Sequence, residues 1–228
     1  GVNEFIDIIP KTYIVYQFEQ TGVTYQNNSW FTSEYINILK NAMYIWDYSK
    51  SNIDYLHKYF NIERKKLIYV PLRYSKILDQ FPKNNNKTID ILFIGSINLK
   101  RKVLLDKLSL KYNVHIGNNN SWGQERDKLI SKSKIVINMQ FYENGILELT
   151  RISYLLSGGA FIVSECGRES DLEIEMSNYM ILCKYNQMEA TIDYYLNNET
   201  KRIQNHKTFI ENWKLTSYDN SIPIECFI

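Results

Sequence analysis

Residues 88–109 of the chain read TIDILFIGSINLKRKVLLDKLS, and their pattern of apolar, small and basic residues indicates the fold class. Its apolar run, Ile89–Ile94, predicts a buried strand of a parallel sheet, because strands covered on both faces are almost continuously apolar. Gly95 and Ser96 then predict a tight turn, and Asn98 is a residue type that caps a following helix. The stretch therefore predicts the strand, turn and helix from which α/β folds are built.

The same turn predicts a binding site for an anion. At the start of a helix the backbone amides have no partner within the helix, and the helix dipole places partial positive charge there. Arg101 and Lys102 add two cationic side chains beside the turn. Because two cations and a helix N-terminus match the charge of a diphosphate, we expect a diphosphate to bind here.

The composition narrows the class of protein. With 228 residues the chain can bury a sizeable core, as one large domain or two small ones. Its formal net charge of +2 does not by itself indicate nucleic-acid binding. No apolar run approaches the roughly 18 residues that span a bilayer, and no signal peptide is visible. We therefore expect a cytoplasmic protein that has no transmembrane segment and binds no nucleic acid.

The cysteines and histidines give no sign of a metal site. Cys166, Cys183 and Cys226 do not have the spacing of metal ligands, and we interpret them as reduced thiols of a cytosolic protein. The three histidines form no cluster with cysteines or acidic residues along the sequence. We therefore expect no bound metal ion.

The chain divides into two series of alternating strands and helices. In the first series the expected strands are 11–18, 42–46 and 66–70, and the expected helices are 33–41 and 52–60. In the second series the expected strands are 89–94, 112–116, 135–139, 160–164 and 179–183, and the expected helices are 102–109, 123–131, 146–156, 171–175, 188–197 and 201–213. Short links within each series predict parallel sheets with helical crossovers.

The segment between the two series predicts the domain boundaries. Residues 75–87 are polar and contain Pro82, which is typical of a linker. We therefore expect a first lobe with its linker in residues 1–83 and a second domain in residues 84–205. Residues 206–228 form a C-terminal helix and tail, for which packing on the first lobe and packing on the second domain both stay open.

Several segments resemble the GT-B glycosyltransferases, in particular the family-1/family-4-like group. The second half resembles their donor-binding domain in FIGSINLKRK (93–102), SKSKIVINMQFYENGILELTRISYLLSGGAFIVSE (131–165) and LCKYNQMEATIDYYLNNETKRI (182–203). The first half resembles the last strands of their N-terminal domain in TYIVYQFEQ (12–20), AMYIWDYSKSNIDYL (42–56) and KLIYVPL (66–72). The resemblance implies an α/β fold of two Rossmann-like lobes with parallel sheets, of which the N-terminal lobe is incomplete or minimal.

Two features depart from the pattern of that group. Its members often carry two glutamates eight positions apart around the start of the donor helix, whereas Glu143 and Glu148 are five apart. Which carboxylate meets the sugar or the ribose therefore stays open. The residues ahead of the linker are also too few for a full first lobe, so either the acceptor domain is minimal or the chain starts within it.

The resemblance implies a function and its partners. A protein of this kind moves a sugar from a nucleotide-diphosphate sugar to an acceptor hydroxyl without a metal ion, and the donor is a substrate, so no cofactor is implied. Its expected partners are the nucleotide-sugar donor, a glycan or other hydroxyl acceptor, and other domains of a longer polypeptide. Gly95 would permit close approach of the backbone to the diphosphate, Ser96 would donate hydrogen bonds, and Arg101 and Lys102 would supply charge.

The strand and helix that follow supply further candidates for donor binding. Asn138 and Gln140 stand at the carboxyl end of an expected strand, the edge at which parallel sheets bind ligands. Glu148 and Arg151 lie three positions apart on the next helix and share one face. Glu148 is a candidate partner of the ribose or sugar hydroxyls, and Arg151 of the phosphate; a plain surface ion pair is the alternative.

Glu19 is the candidate catalytic residue on the acceptor side. It follows the first expected strand, where related enzymes often place a polar residue for the acceptor, and a carboxylate there can act as a general base on a hydroxyl. The alternatives to an enzyme are a non-catalytic nucleotide-sugar-binding module or one domain of a larger transferase. A third alternative is a Rossmann-like sugar-nucleotide epimerase or a plain two-lobed α/β binding protein. No GxGxxG fingerprint follows the strand, which argues against a dinucleotide enzyme.

Overall fold

Unit 1 is built on a sheet of three parallel strands. The computed structural model describes residues 9–23, 30–79, 81–82, 86–117 and 123–218, and within them unit 1 comprises the residues up to Leu72 together with Tyr142–Ile146. Its strands are β1 (Ile14–Gln17), β2 (Tyr44–Asp47) and β3 (Leu67–Tyr69), in the order β1-β2-β3, and its helices are α1 (Ser33–Asn41) and α2 (Lys50–Phe60).

Unit 2 is built on a sheet of five parallel strands and comprises Arg73–Phe141 and Leu147–Tyr218. The strands are β4 (Ile89–Ile94), β5 (Val114–Gly117), β6 (Ser133–Asn138), β7 (Ile162–Glu165) and β8 (Ile181–Cys183), in the order β5-β4-β6-β7-β8. The helices are α3 (Leu99–Ser109), α4 (Gln124–Ser131), α5 (Leu149–Ser157), α6 (Ser170–Met176), α7 (Met188–Asn197) and α8 (Glu199–Lys214). Parallel pairing throughout confirms the expected α/β fold.

Helix caps explain where α2 of unit 1 and α3 of unit 2 begin. The Ser49 side chain accepts a hydrogen bond from the amide of Asn52, so α2 starts at Lys50. The Asn98 side chain accepts from the amide of Arg101, and α3 consequently starts at Leu99, three residues before the expected start. The earlier start places Lys100, Arg101 and Lys102 together in the first turn of α3.

One face of the sheet of unit 2 is covered by α3 and α7. Ile91, Phe93 and Ile137 from the strands pack with Leu105 of α3 and Ile192 of α7, and none of these side chains is more than 2% exposed. Such burial contributes roughly 1.5–3 kcal/mol for each large apolar side chain. The core therefore fixes β4 and β6 with their carboxyl ends side by side.

Ser75, the first residue of the predicted linker, and Tyr74 before it hydrogen-bond within unit 2. The Tyr74 amide donates to Thr216 Oγ1 at 3.1 Å, and the Ser75 amide donates to Ser157 Oγ at 3.5 Å. The indole of Trp213 in α8, itself fully buried, also donates to Ser157 Oγ at 3.1 Å. Helix α8 thus packs within unit 2, one of the two alternatives left open by the sequence.

His206 of α8 makes the stability of unit 2 sensitive to acid. Its Nε2 lies 2.9 Å from the carbonyl oxygen of Gly159, and burial lowers the pKa of the imidazole below its ordinary value, as do Lys87 and Arg202. Below a pH of about 6.5, the pKa of a solvated histidine, the unfolded chain therefore binds a proton that the folded chain resists. The free energy of unfolding falls as the pH drops through this range.

We expect the His206→Gln variant to lose this part of the acid sensitivity. Urea unfolding of both proteins at pH 7.5 and 5.5 measures it, and His115→Gln, which replaces an exposed residue of β5, is the matched control. An equal loss of stability in the wild type and the His206 variant would show that this imidazole is not responsible.

Candidate functional site

The turn after β4 approaches the guanidinium group of Arg151. Gly95 has a φ of +150°, a backbone conformation that side chains rarely adopt. A Cβ atom placed there would lie 3.4 Å from Arg151 Nη1, 3.5 Å from Nη2 and 3.4 Å from the Phe93 ring. Glycine at this position therefore lets the backbone lie against an arginine, and a close approach of the same backbone to a diphosphate stays a prediction.

Arg151 lies in the first turn of α5 and is partly open to solvent. Its Nη2 is 3.0 Å from Glu148 Oε2, and its Nη1 donates to Asn138 Oδ1 at 3.4 Å. Glu148 occupies the N-cap position of α5 but makes no side-chain hydrogen bond to the first turn. The helix dipole and Arg151 thus favour the same place for a negative charge.

Arg101 is placed differently from what the sequence suggested. Its side chain is 1% exposed, Nη1 donates to the carbonyl oxygen of Ser96 at 2.7 Å, and Nη2 donates to the carbonyl oxygen of Met139. Nη2 also lies 3.6 Å from Glu148 Oε1. Arg101 thereby joins the turn after β4, the end of β6 and the start of α5; a contact between it and phosphate stays a prediction.

Lys102 lies on the exposed surface of α3, whereas Lys100 is partly buried and contacts the end of β7. Lys102 is exposed and pairs with Asp106 at 2.6 Å, one turn along the surface of α3. Lys100 Nζ lies 2.5 Å from Glu165 Oε1 at the end of β7 and 4.9 Å from the centre of the Tyr185 ring. Sequence reasoning missed Lys100, although the cap at Asn98 was a signal that it belongs to the first turn.

Gln140 is buried with an unsatisfied amide. The residue is 3% exposed, and neither Nε2 nor Oε1 of its side chain has a hydrogen-bond partner among the described residues. Its backbone amide donates to Glu165 Oε2 at 2.9 Å. Nearby, Asn138 Nδ2 donates to Ser164 Oγ at 3.0 Å. An unpaired buried amide costs about 1–3 kcal/mol, which the described residues do not offset.

The structure therefore brings most of the expected donor residues to one edge of the sheet. Gly95, Ser96, Arg101, Asn138, Glu148 and Arg151 are linked through the contacts described above, and Gln140 is held through its backbone amide by Glu165. Lys102 is the exception, because its ammonium pairs with Asp106 on the surface. Arg101, Arg151 and Lys100 stand against two carboxylates, Glu148 and Glu165, so the cluster carries a net positive charge that suits an anionic ligand.

Glu19 lies in unit 1, in a loop held by a buried polar network. Asn52, which is fully buried, donates from Nδ2 to the Glu19 carbonyl at 3.2 Å and to Asp47 Oδ1 at 3.1 Å, and its Oδ1 accepts from the Thr21 amide at 3.1 Å. Gln17 Nε2 donates to Asp47 Oδ2 at 2.7 Å and to the Glu19 carbonyl at 2.8 Å. The backbone on both sides of Glu19 is thus fixed.

The Glu19 side chain stays accessible while its backbone is held. Partial burial raises the pKa of its carboxyl group above the ordinary value. A raised pKa makes a carboxylate a stronger base, which suits the role expected for Glu19, although no ligand contact tests that role. The adjacent Gln20 accepts a hydrogen bond through Oε1 from the Ile146 amide at 3.0 Å, which ties residues 142–146 into unit 1.

Within the described residues no three His, Cys, Asp or Glu side chains are grouped so as to hold a metal ion. No described helix is both long enough and apolar enough to cross a bilayer.

Comparison with known sequences gives relatives without an assigned function. No protein-family model matches the chain. Uncharacterized protein L140 of Acanthamoeba polyphaga mimivirus is 28% identical over 176 residues, which cover 72% of this chain and 56% of the relative. Uncharacterized protein L137 of the same virus is 28% identical over 165 residues, which cover 69% of this chain and 21% of the relative. The chain thus spans only part of the curated relatives that it matches.

Comparison with solved structures shows the fold. Anabaena Alr3699/HepE in complex with UDP-glucose aligns with a TM-score of 0.60 at 10% identity, over 94% of this chain and 70% of that one. WaaG, a glycosyltransferase involved in lipopolysaccharide biosynthesis, aligns with a TM-score of 0.58 at 12% identity, over 95% and 73%. A glycosyltransferase from Rickettsia africae ESF-5 aligns with a TM-score of 0.53 at 12% identity, over 82% and 62%. The chain has the α/β fold of GT-B glycosyltransferases, as the sequence predicted.

The hydrogen bonds of Asn52 predict how its replacement changes the stability of the protein. We expect Asn52→Ala to lower the free energy of unfolding by about 2–4 kcal/mol, because the buried Thr21 amide and the Asp47 carboxylate each lose a partner. Asn37→Ala, at an exposed position of α1, should change it by less than about 0.5 kcal/mol. Urea denaturation measures both variants, and equal stabilities would contradict a structural role of the network.

Proposed function

We propose that unit 2 binds the diphosphate of a nucleotide sugar and that the protein is a metal-independent glycosyltransferase. The observation that carries this proposal is the buried amide of Gln140, which has no partner among the described residues. Gln140 lies two residues beyond Asn138, the last residue of β6, which accepts a hydrogen bond from Arg151. A polar group left unsatisfied in the interior destabilises the fold, so its presence favours a ligand that completes its hydrogen bonds.

The chemistry of glycosyl transfer suits this arrangement. The bond between the anomeric carbon and the diphosphate oxygen breaks, the acceptor oxygen bonds to that carbon, and the acceptor proton passes to a base. Negative charge grows on the leaving diphosphate, and a fixed guanidinium beside an uncapped helix N-terminus would stabilise it. Arg151 would supply this charge, and Glu19 would be the general base that accepts the acceptor proton. Gln140 and Asn138 would bind hydroxyl groups of the donor or its nucleobase.

The comparisons support a nucleotide sugar as the donor. Alr3699/HepE, which shares the fold, was crystallised with UDP-glucose, and two other proteins that share it are named as glycosyltransferases. A location in the cytoplasm, expected from the sequence, is part of the same proposal.

A non-catalytic nucleotide-sugar-binding module, or one domain of a larger transferase, is the second candidate. The observation that favours it is the length of the relatives, since the chain covers 56% of L140 and 21% of L137. Donor binding is common to both candidates, and turnover distinguishes them.

We expect a nucleoside diphosphate or its sugar to raise the melting temperature of the wild type, because a ligand that binds the folded state stabilises it. In Arg151→Ala the affinity should fall by about 10-fold or more, the effect of losing charge-assisted hydrogen bonds. The assay is a thermal-shift titration with UDP, GDP, ADP and their sugars, and Arg64→Ala, which removes an exposed arginine of unit 1, is the control. No shift with any of these compounds would overturn the proposal.

Turnover tests the catalytic role of Glu19. We expect the wild type to release nucleoside diphosphate from its nucleotide sugar. In Glu19→Gln the rate of release should fall by about 100-fold or more, since the amide cannot accept a proton. The thermal shift with the donor should stay unchanged in this variant, and Glu63→Gln, an exposed carboxylate, should behave as the wild type. Undiminished turnover in the Glu19 variant would refute its role, and donor binding without any turnover would favour the non-catalytic module.

A further inference from the structure

Helix α5 presents a second polar group on the face that carries Arg151. Tyr154 follows Arg151 by three residues, so the two side chains share one side of the helix and are separated by about 4.5 Å along its axis. That separation is comparable to the distance between the diphosphate and the ribose of a nucleotide. A group at Tyr154 is therefore placed to meet the nucleoside when the diphosphate lies at Arg151.

Tyr154 is held in one orientation by three neighbours from unit 2. The Arg126 guanidinium lies 4.1 Å above the centre of its ring, and the Phe81 ring packs against it at a centroid distance of 5.0 Å. Its hydroxyl donates a hydrogen bond to Asp127 Oδ1, in the first turn of α4. Burial and the Asp127 carboxylate raise the pKa of the Tyr154 hydroxyl, so it stays a donor at neutral pH.

The Asp127 carboxylate keeps one oxygen available. Within the part of the chain that the structure describes, the hydrogen bond from Tyr154 engages Oδ1, and no hydrogen bond engages Oδ2. Asp127 is partly exposed, so a solute can reach it. A carboxylate that is fixed through one oxygen and open at the other is suited to accept hydrogen bonds from a vicinal diol.

Glu148, the carboxylate that the sequence suggested for the ribose, is already engaged. Arg151 lies 3.0 Å from its Oε2, and Arg101 lies 3.6 Å from its Oε1. With both oxygens facing cations, Glu148 is better suited to orient the arginines than to bind a neutral diol. The departure from the usual glutamate spacing leaves the ribose without its expected partner on α5.

We propose that Asp127, oriented by Tyr154, binds the 2′- and 3′-hydroxyls of the ribose in the nucleotide. This inference rests on the proposed function, because it takes the diphosphate to lie at Arg151. The predicted consequence is selectivity for ribonucleotides over nucleotides that lack the two hydroxyls. Pyrophosphate, which has no ribose, should be insensitive to Asp127.

The experiment compares the affinities of UDP, GDP and ADP, of their 2′,3′-dideoxy counterparts, and of inorganic pyrophosphate, measured by calorimetric titration. For the best nucleotide we expect the wild type to bind the ribose form about 10-fold or more tightly than the dideoxy form, the effect of one or two hydrogen bonds to a charged group. In Asp127→Asn this ratio should approach one, with the affinity for pyrophosphate unchanged. Tyr154→Phe keeps the ring but removes the orienting hydroxyl, so it should lower the ratio by a smaller amount.

The outcomes separate this inference from the proposed function. Glu125→Gln, which neutralises an exposed carboxylate of α4 paired with Lys128 at 2.7 Å, is the matched control and should keep the wild-type ratio. A wild-type ratio retained in Asp127→Asn, or a wild type that binds both sugar forms equally, would overturn the role of Asp127 and leave the diphosphate site standing. No binding of any nucleotide or of pyrophosphate by the wild type would overturn the proposed function and this inference together. Unchanged pyrophosphate binding also shows that each variant is folded.

Discussion

Arg101 carries a full positive charge into the interior of unit 2, where 1% of its side chain reaches solvent. Burying an ion costs several kcal/mol unless hydrogen bonds and opposite charge surround it. Two backbone carbonyls, those of Ser96 and Met139, accept from its guanidinium, and the Glu148 carboxylate lies 3.6 Å away. Because these partners belong to the turn after β4, the exit of β6 and the N-cap of α5, satisfying one charge fixes three segments of the site.

Glu148 lies between two arginines and interacts with both. One oxygen faces the buried Arg101, and the other lies 3.0 Å from Arg151, whose side chain is about a third exposed. The inner arginine thereby sets the position of the carboxylate, and the carboxylate sets the position of the outer arginine. A guanidinium prepositioned in this way loses little conformational freedom when an anion binds, which is the advantage of preorganisation in binding and catalysis.

The sequence predicts the elements of this fold better than it predicts the roles of individual side chains. The apolar run of β4 and the bounds of α1 and α7 follow from local patterns and are confirmed. The burial of Arg101 follows from helical periodicity, because the residue lies three, four and seven positions before the buried leucines of α3.

Other features depend on distant pairings that local patterns do not contain. Lys100 finds Glu165, 65 residues away, and the Gln20 side chain accepts from the Ile146 amide, 126 residues away. The local sequence around Lys100 or Gln20 does not indicate the partner of that residue, because each pair forms only when the chain has folded. The same limit applies to Tyr154 and Asp127, which stand on different helices.

The hydrogen bonds of buried polar groups distinguish the two networks of this protein. In unit 1 the Asn52 side chain meets Thr21, Glu19 and Asp47, so a loop is held and no bonding capacity is left for a solute. In unit 2 the Gln140 side chain is also buried, but its amide meets no partner among the described residues. Burying either side chain costs free energy, but only Asn52 regains that free energy through hydrogen bonds within the chain. The Asn52 network therefore has a structural role. Gln140 is the group that the proposed donor would complete.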